Sequence, residues 1–252
     1  MNALKTVLAP ALVLIFSSTL SSAQIIISSV PSTINTPGAY ILTQSLHYTP
    51  GSGNAITVAA SNVTINLNGY GIINTSDQTK TTATCVFANN VENLTVENGE
   101  IFGFTNGIDL EGPGVGLNFN VGHIVQNLRL AYCTLHGILL NRASNCLIQN
   151  CQLSSIGITG GGVVVNFAYG IEIFSLAGGT RIYRCQVSNA TLAGFLTQAE
   201  GSQGCYLEQN LATNCDFGFA FQDTVEAYRD NASFGCTTAF SGGNDWGGNH
   251  SQ

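Results

Sequence analysis

Seven short apolar runs in this chain each begin with a small residue followed by a large one, and their recurrence restricts the fold more than any other feature. The starts are Ala55-Ile56, Gly107-Ile108, Gly137-Ile138, Gly170-Ile171, Gly194-Phe195, Gly218-Phe219 and Ala239-Phe240, with Thr84-Cys85 as a poorer match. From 107 onward the steps are 30, 33, 24, 24 and 21 residues. Apolar and polar residues alternate behind each start, as in Ile108-x-Leu110 and Ile171-x-Ile173, the period of a strand with one buried face. A second run follows in each unit, as in NVTINLNG (62–69), NLTVENG (93–99), NLRLAYC (127–133), NCLIQNC (145–151), GTRIYRC (179–185) and CYLEQN (205–210). Units this short leave no room for a crossover helix. They predict a coiled solenoid with two or three short strands per turn and Asn or Gly corners.

Composition agrees. Only 7 Lys or Arg and 14 Asp or Glu occur in 252 residues, 8% charged, against roughly a quarter in ordinary domains. Exposed helix faces depend on Glu, Lys and Arg, so a helical bundle or doubly wound fold is excluded. The 25 Asn and 29 Gly supply the polar surface and the turns instead. A net charge of −7 without any basic run argues against a nucleic-acid partner.

Met1 to Lys5 read as a positive leader segment, Thr6 to Phe16 as its apolar stretch and Ser21-Ser22-Ala23 as its cleavage site, which predicts a signal peptide over 1–23 and a secreted product. The apolar stretch is shorter than the roughly 20 residues of a membrane span, and no later segment is long enough. Eight cysteines in an exported chain invite disulfides, and none has the spacing of a zinc site.

The stretches VPSTINTPGAYILTQSL (30–46) and AITVAASNVTINLNGYGI (55–72), with the later G-I-x-L and N-C-x-I-x-N-C units, resemble secreted right-handed parallel β-helix proteins of the pectin-lyase-like class. The likeness runs from Ile25 to Asn249. It implies an all-β, right-handed parallel β-helix of about seven coils. Residues 24–50 are expected to be N-terminal capping strands, 51–240 the repeats and 241–252 a tail. The segments 112–123 and 158–169 should protrude as loops. Asn98, Asn150, Asn210 and Asn231 fall at or beside one corner, where an amide side chain can bond backbone groups.

Registering the repeat puts Cys133, Cys151 and Cys185 in one column with Gly99 and Asn210, and Cys215 and Cys236 in another. Neighbouring coils lie within disulfide range. Bridged and stacked free cysteines both fit, with Cys215 and Cys236 the best disulfide candidate.

Inward positions are apolar, so function belongs to outward positions and loops. Asp109 and Glu172 fall in one outward column, two coils or about 10 Å apart, near the 6.5–9.5 Å of an inverting glycosidase pair. The alternative is a pair of solvated carboxylates. On the second strand the outward set contains Arg129, Arg181, Tyr183, Tyr206, Glu208 and Arg229, with Arg129 and Arg181 in one column. Arginine forks and flat tyrosine rings suit a uronate polysaccharide. Equally, Arg129 and Arg181 could pair with Glu97 and Glu208 as a surface ladder.

Pectin-hydrolase relatives show N-T-D, D-D, G-H-G and R-I-K. This chain has Thr105-Asn106-Gly107, no D-D pair, Gly122-His123-Ile124 and Arg181-Ile182-Tyr183, so none of those roles carries over. Asp223, Glu226, Arg229 and Asp230 form a late cluster that could hold calcium; no other cofactor is expected. His47, His123, His136 and His250 read as loop or turn residues. Asp109, Glu172, Arg229 and Asp230 are therefore the catalytic candidates, and Arg129, Arg181, Tyr183, Tyr206 and Glu208 the substrate-binding ones. Two functions remain open: a non-catalytic glycan-binding or structural protein of the cell exterior, or a lyase or hydrolase of acidic polysaccharide. A monomer is expected.

Overall fold

The computed structural model describes residues 23–112, 121–165, 167–175, 177–198, 204–222 and 224–252. The expected leader, apart from Ala23, the middle of the first insertion and Asp223 lie outside the described residues. Every regular element among those described is a strand, and every strand pairing is parallel. Each coil visits three faces in turn. A broad face is a nine-stranded sheet from Ser32–Ile34 to Thr238–Ser241. The other two faces belong to a 17-stranded sheet folded at a corner. One contains Leu147–Gln149, Arg181–Tyr183 and Tyr206–Glu208, and the other Gln152–Ser154, Gln186–Ser188 and Leu211–Thr213.

Nine strands on the broad face exceed the seven coils expected. One addition is Ser32–Ile34, which pairs with Asn54–Val58, so residues read as a cap enter the ladder in register. The other is Thr84–Asn89, whose small–large pair is Cys85-Val86, one residue later than the sequence match. Val86 joins the buried column Ile56, Ile108, Ile138, Ile171, Phe195 and Phe219, which the partly buried Phe240 closes. The phenylalanines of that column stack at 4.7 and 5.0 Å between centroids. The expected tail also pairs, through Asn244–Asp245 and His250–Ser251.

The corner between the two faces of the larger sheet needs a left-handed residue in each coil. Asn98, Asn127, Asn150, Arg184, Gln209 and Asp230 fill it with φ between 52° and 61°. Asn tolerates this conformation because its short amide bonds locally. Asn127 and Asn150 each donate to the amide oxygen one coil below, at 3.1 and 3.4 Å. One position further, the chain turns inward. There Asn210 and Asn231 are buried, and their Oδ1 atoms accept from the backbone N–H of Cys185 and Asn210 at 2.8 and 2.9 Å. A buried amide is tolerated because its donors and acceptors are met.

Register corrects the cysteine columns. Arg129 pairs with Gln152, so Leu128 stands where Cys133 was expected, above Cys151 and Cys185. Cys133 lies in the column of Ala190, Cys215 and Cys236. All eight cysteines are free thiols, including Cys215 and Cys236, whose proposed bridge is not formed. Those two do stack, with the Cys215 N–H directed at Cys236 Sγ at 3.4 Å. They fill core volume as small apolar side chains.

The small residue of each pair is small because the next coil is close. A Cβ added to Gly170 would lie 2.4 Å from Val187 Cγ1 and 2.5 Å from the Gly194 carbonyl oxygen. Gly170→Ala should therefore cost about 1–3 kcal/mol as overpacking, read as a lower urea midpoint with an unchanged slope.

Candidate functional site

The arginine face forms around one buried carboxylate. Glu208 receives Arg181 Nη2 at 2.5 Å on Oε2, and Arg229 Nη2 and Nε at 2.6 and 3.1 Å on Oε1. The Arg229 hydrogen bonds, followed by that of Arg181, hold its carboxyl below the usual range. Tyr206 lies between the two cations, its ring centre 5.7 Å from one guanidinium and 5.9 Å from the other. Arg181 and Arg184 sit 5.0 and 4.5 Å from the centre of Tyr183, and Trp246 packs 5.5 Å from Tyr206. The forks expected to grip a substrate carboxylate thus face Glu208. This is the ladder reading.

Arg129 is elsewhere. Its column is Glu100, Arg129, Gln152, Gln186 and Leu211, around the corner from Arg181. It pairs with Glu100 at 3.1 Å rather than with Glu97, both side chains being mostly exposed. Such a pair contributes little stability. The pair belongs to a groove of about 450 Å³. Its outward rows are Gln152 with Gln186 and Ser154 with Ser188 and Thr213. Phe102 and Tyr132 also line it, their ring centres 4.9 Å apart. The loop over 158–165 leaves Val163 and Val164 exposed, as expected of a protruding segment, and its Gly160 N–H bonds Gln78 Oε1 at 2.5 Å.

The broad face holds the third arrangement. Asp109 and Glu172 lie in one column with Leu139 between them, as the sequence predicts, but both are buried rather than solvated. His136, expected in a turn, opens the strand His136–Asn141 and stacks on Tyr169 with 5.6 Å between ring centres. It joins the two carboxylates. Its Nε2 is 2.6 Å from Glu172 Oε2, and its Nδ1 is 3.0 Å from Asn106 Oδ1. Asn106 Nδ2 in turn donates to Asp109 Oδ2 at 3.1 Å. Asp109 Oδ1 is buried without a partner. Burial first, and then the Glu111 carboxylate, push the Asp109 carboxyl up to about 6, against the Asn106 bond and nearby His136.

The remaining expectations separate. His123 is buried, accepts the Leu94 N–H on Nδ1, and is pushed down to about 4 by burial, which marks it as a structural neutral histidine. In the late cluster Arg229 serves Glu208, Glu226 is buried, and Asp230 lies 3.7 Å from Arg229 Nε. Among the described residues no group of three or more metal-ligating side chains comes together; Asp223 of that cluster lies outside them. No helix among them is long and apolar enough to cross a membrane.

Parallel three-faced coils, a continuous apolar core and left-handed Asn corners define a β-helix whose chemistry must reside on its outer faces. A family model described as "Right handed beta helix region" matches residues 84–244, and the chain belongs to that family. Among solved structures it is similar to the pectate lyase Pel9A, at 13% identity and a TM-score of 0.54, over 88% of this chain and 69% of that one. The Azotobacter vinelandii mannuronan C-5 epimerase AlgE4 A-module aligns at 7% identity and a TM-score of 0.22, over 92% of this chain and 87% of that one. No curated protein matches the chain in sequence. The family match and the likeness to Pel9A establish the fold.

Asp109 binds its proton more tightly folded than unfolded, since its pKa rises from 3.8 to about 6. The stability it contributes is present below 3.8 and lost as pH rises through 6. Asp109→Asn should therefore stabilise the protein by about 3 kcal/mol at pH 7 and by almost nothing at pH 3.5. Urea titrations of both proteins at the two pH values test this.

Proposed function

We propose that this chain is a secreted polysaccharide-binding β-helix and that a neutral glycan lies along the groove lined by Gln152, Gln186, Ser154, Ser188 and Thr213. The lining supports this reading. Amides and hydroxyls both donate and accept, as sugar hydroxyls require, and they repeat from coil to coil along the groove. Phe102 and Tyr132 add aromatic surface against which apolar sugar faces can pack. The one ion pair in the lining, Arg129 with Glu100, is internally neutral.

An acidic polymer is the less favoured ligand. Of the five arginines after the leader, Arg129, Arg181 and Arg229 face carboxylates of this chain. The net charge of −7 also repels polyanions. Export through the leader peptide is part of the same proposal.

Isothermal titration against galactan, mannan and β-glucan, with polygalacturonate and alginate as acidic controls, tests the reading. Binding of a neutral polymer is expected, with about tenfold weaker binding in Phe102→Ala and in Gln186→Ala and no change in Arg181→Ala. Binding confined to the acidic polymers and lost in Arg181→Ala would move the site to the arginine face. No binding to any of the five would refute it.

A further inference from the structure

We propose that the glycan bound by this chain is branched, and that a second groove takes its short side branch around the corner from the first. The ligand class rests on the glycan reading above; the groove rests on its own lining.

This second groove has a volume of about 420 Å³. It lies where each coil leaves the face of Gln186–Ser188 and Leu211–Thr213 for the broad face. One wall is the corner, Asn189 and Asn214, with Asp216 and Thr237 beyond it. The other wall is the loop over 158–165, which contributes Ile158 and Val164, themselves bridged as a hairpin. The fold holds that wall in place. Thr191 Oγ1 donates to the Val165 carbonyl at 2.9 Å and accepts the Ala168 N–H at 3.1 Å. The Thr159 N–H closes the hairpin on the Val163 carbonyl at 2.9 Å. A preformed wall reduces the ordering that binding would cost.

The corner leaves polar atoms uncovered. Asn214 Nδ2 donates to Asn189 Oδ1 at 3.3 Å. The amide ladder ends there, because Gly235 occupies the same position on the next coil. A Cβ at Gly235 would lie 2.6 Å from Asn214 Oδ1, so glycine leaves this acceptor open. Asp216 is exposed and forms no ion pair among the described residues. Asp216 and Thr237 immediately precede the paired Phe217 and Thr238, so they share a column on neighbouring coils, about 4.8 Å apart. Amide donors and acceptors, a carboxylate and a hydroxyl thus converge opposite two apolar side chains. Sugar hydroxyls and an apolar sugar face match such a lining. The carboxylate accepts from hydroxyls by charge-assisted bonds and repels a uronate.

Placement makes the occupant a branch. Ser188 and Thr213 line the first groove, and the residues that follow them, Asn189 and Asn214, line the second. Consecutive Cα atoms are about 3.8 Å apart, so the two grooves meet along this edge. The first groove crosses the coils. Its outward row Glu100, Arg129, Gln152, Gln186 and Leu211 spans four strand spacings, about 19 Å. A main chain following that row passes the edge without leaving its face. A sugar directed sideways from it enters the second groove.

Isothermal titration of the intact protein with two polymer pairs tests this: linear mannan against galactomannan, and linear β-glucan against xyloglucan. The branched member of at least one pair should bind about tenfold tighter than its linear partner. Asp216→Ala and Thr237→Ala should each remove most of that difference. Both side chains are exposed, so melting temperature and affinity for the linear polymer should be kept. Gln186→Ala should weaken both members of the pair by the same factor. Equal affinity for linear and branched polymers, or a preference that survives both variants, would overturn the branch site. Variants that weaken the linear polymer as much as the branched one would overturn it too, by making the groove part of the main-chain path. Each of these results leaves the first groove standing, whereas failure to bind any of the four polymers removes the glycan reading as well.

Discussion

Every coil satisfies its backbone through the coils above and below, and the rest of the molecule depends on that parallel ladder. With strands about 4.8 Å apart, each side chain lies over one of the same orientation, so a position is defined by its column. Small residues over small ones let the backbones approach, and the apolar column from Ile56 to Phe240 fills the interior. Polar groups can be buried only in columns that repeat their partners, as Asn210 and Asn231 do at the inner corner.

That rule also explains how the broad face holds a costly carboxyl. A buried, half-partnered Asp109 is destabilising taken alone. It persists because Asn106, His136 and Glu172 sit on three successive strands whose register is fixed by the ladder. On the arginine face the same stacking sets Arg181 and Arg229 on opposite sides of Glu208 and satisfies that carboxylate completely. One face stabilises its charge, and the other leaves a carboxyl oxygen unpaired.

The architecture was legible in the sequence because periodicity and composition report it directly. Register was harder. The unit 124–131 was hidden by the insertion before it, since Ile124-Val125-Gln126-Asn127 aligns with Leu147-Ile148-Gln149-Asn150, and NLRLAYC alone suggests a later start. This displaced Arg129 and Cys133 into the wrong columns. The Asp109 and Glu172 column was correct because the Gly-Ile pairs anchor it. His136 was missed because it precedes such a pair, where a strand and a turn look alike. The signal that could have found it was Asn106, His136 and Tyr169, each immediately before a Gly-Ile pair.

The ladder holds Asp109 as a carboxyl that keeps its proton above the ordinary range. Carbon-13 NMR titration of that side chain in the intact protein measures this directly. A midpoint near 6 is expected from its burial and from Glu111. A midpoint at the ordinary 3.8 would show a solvated carboxylate on a polar face and contradict it.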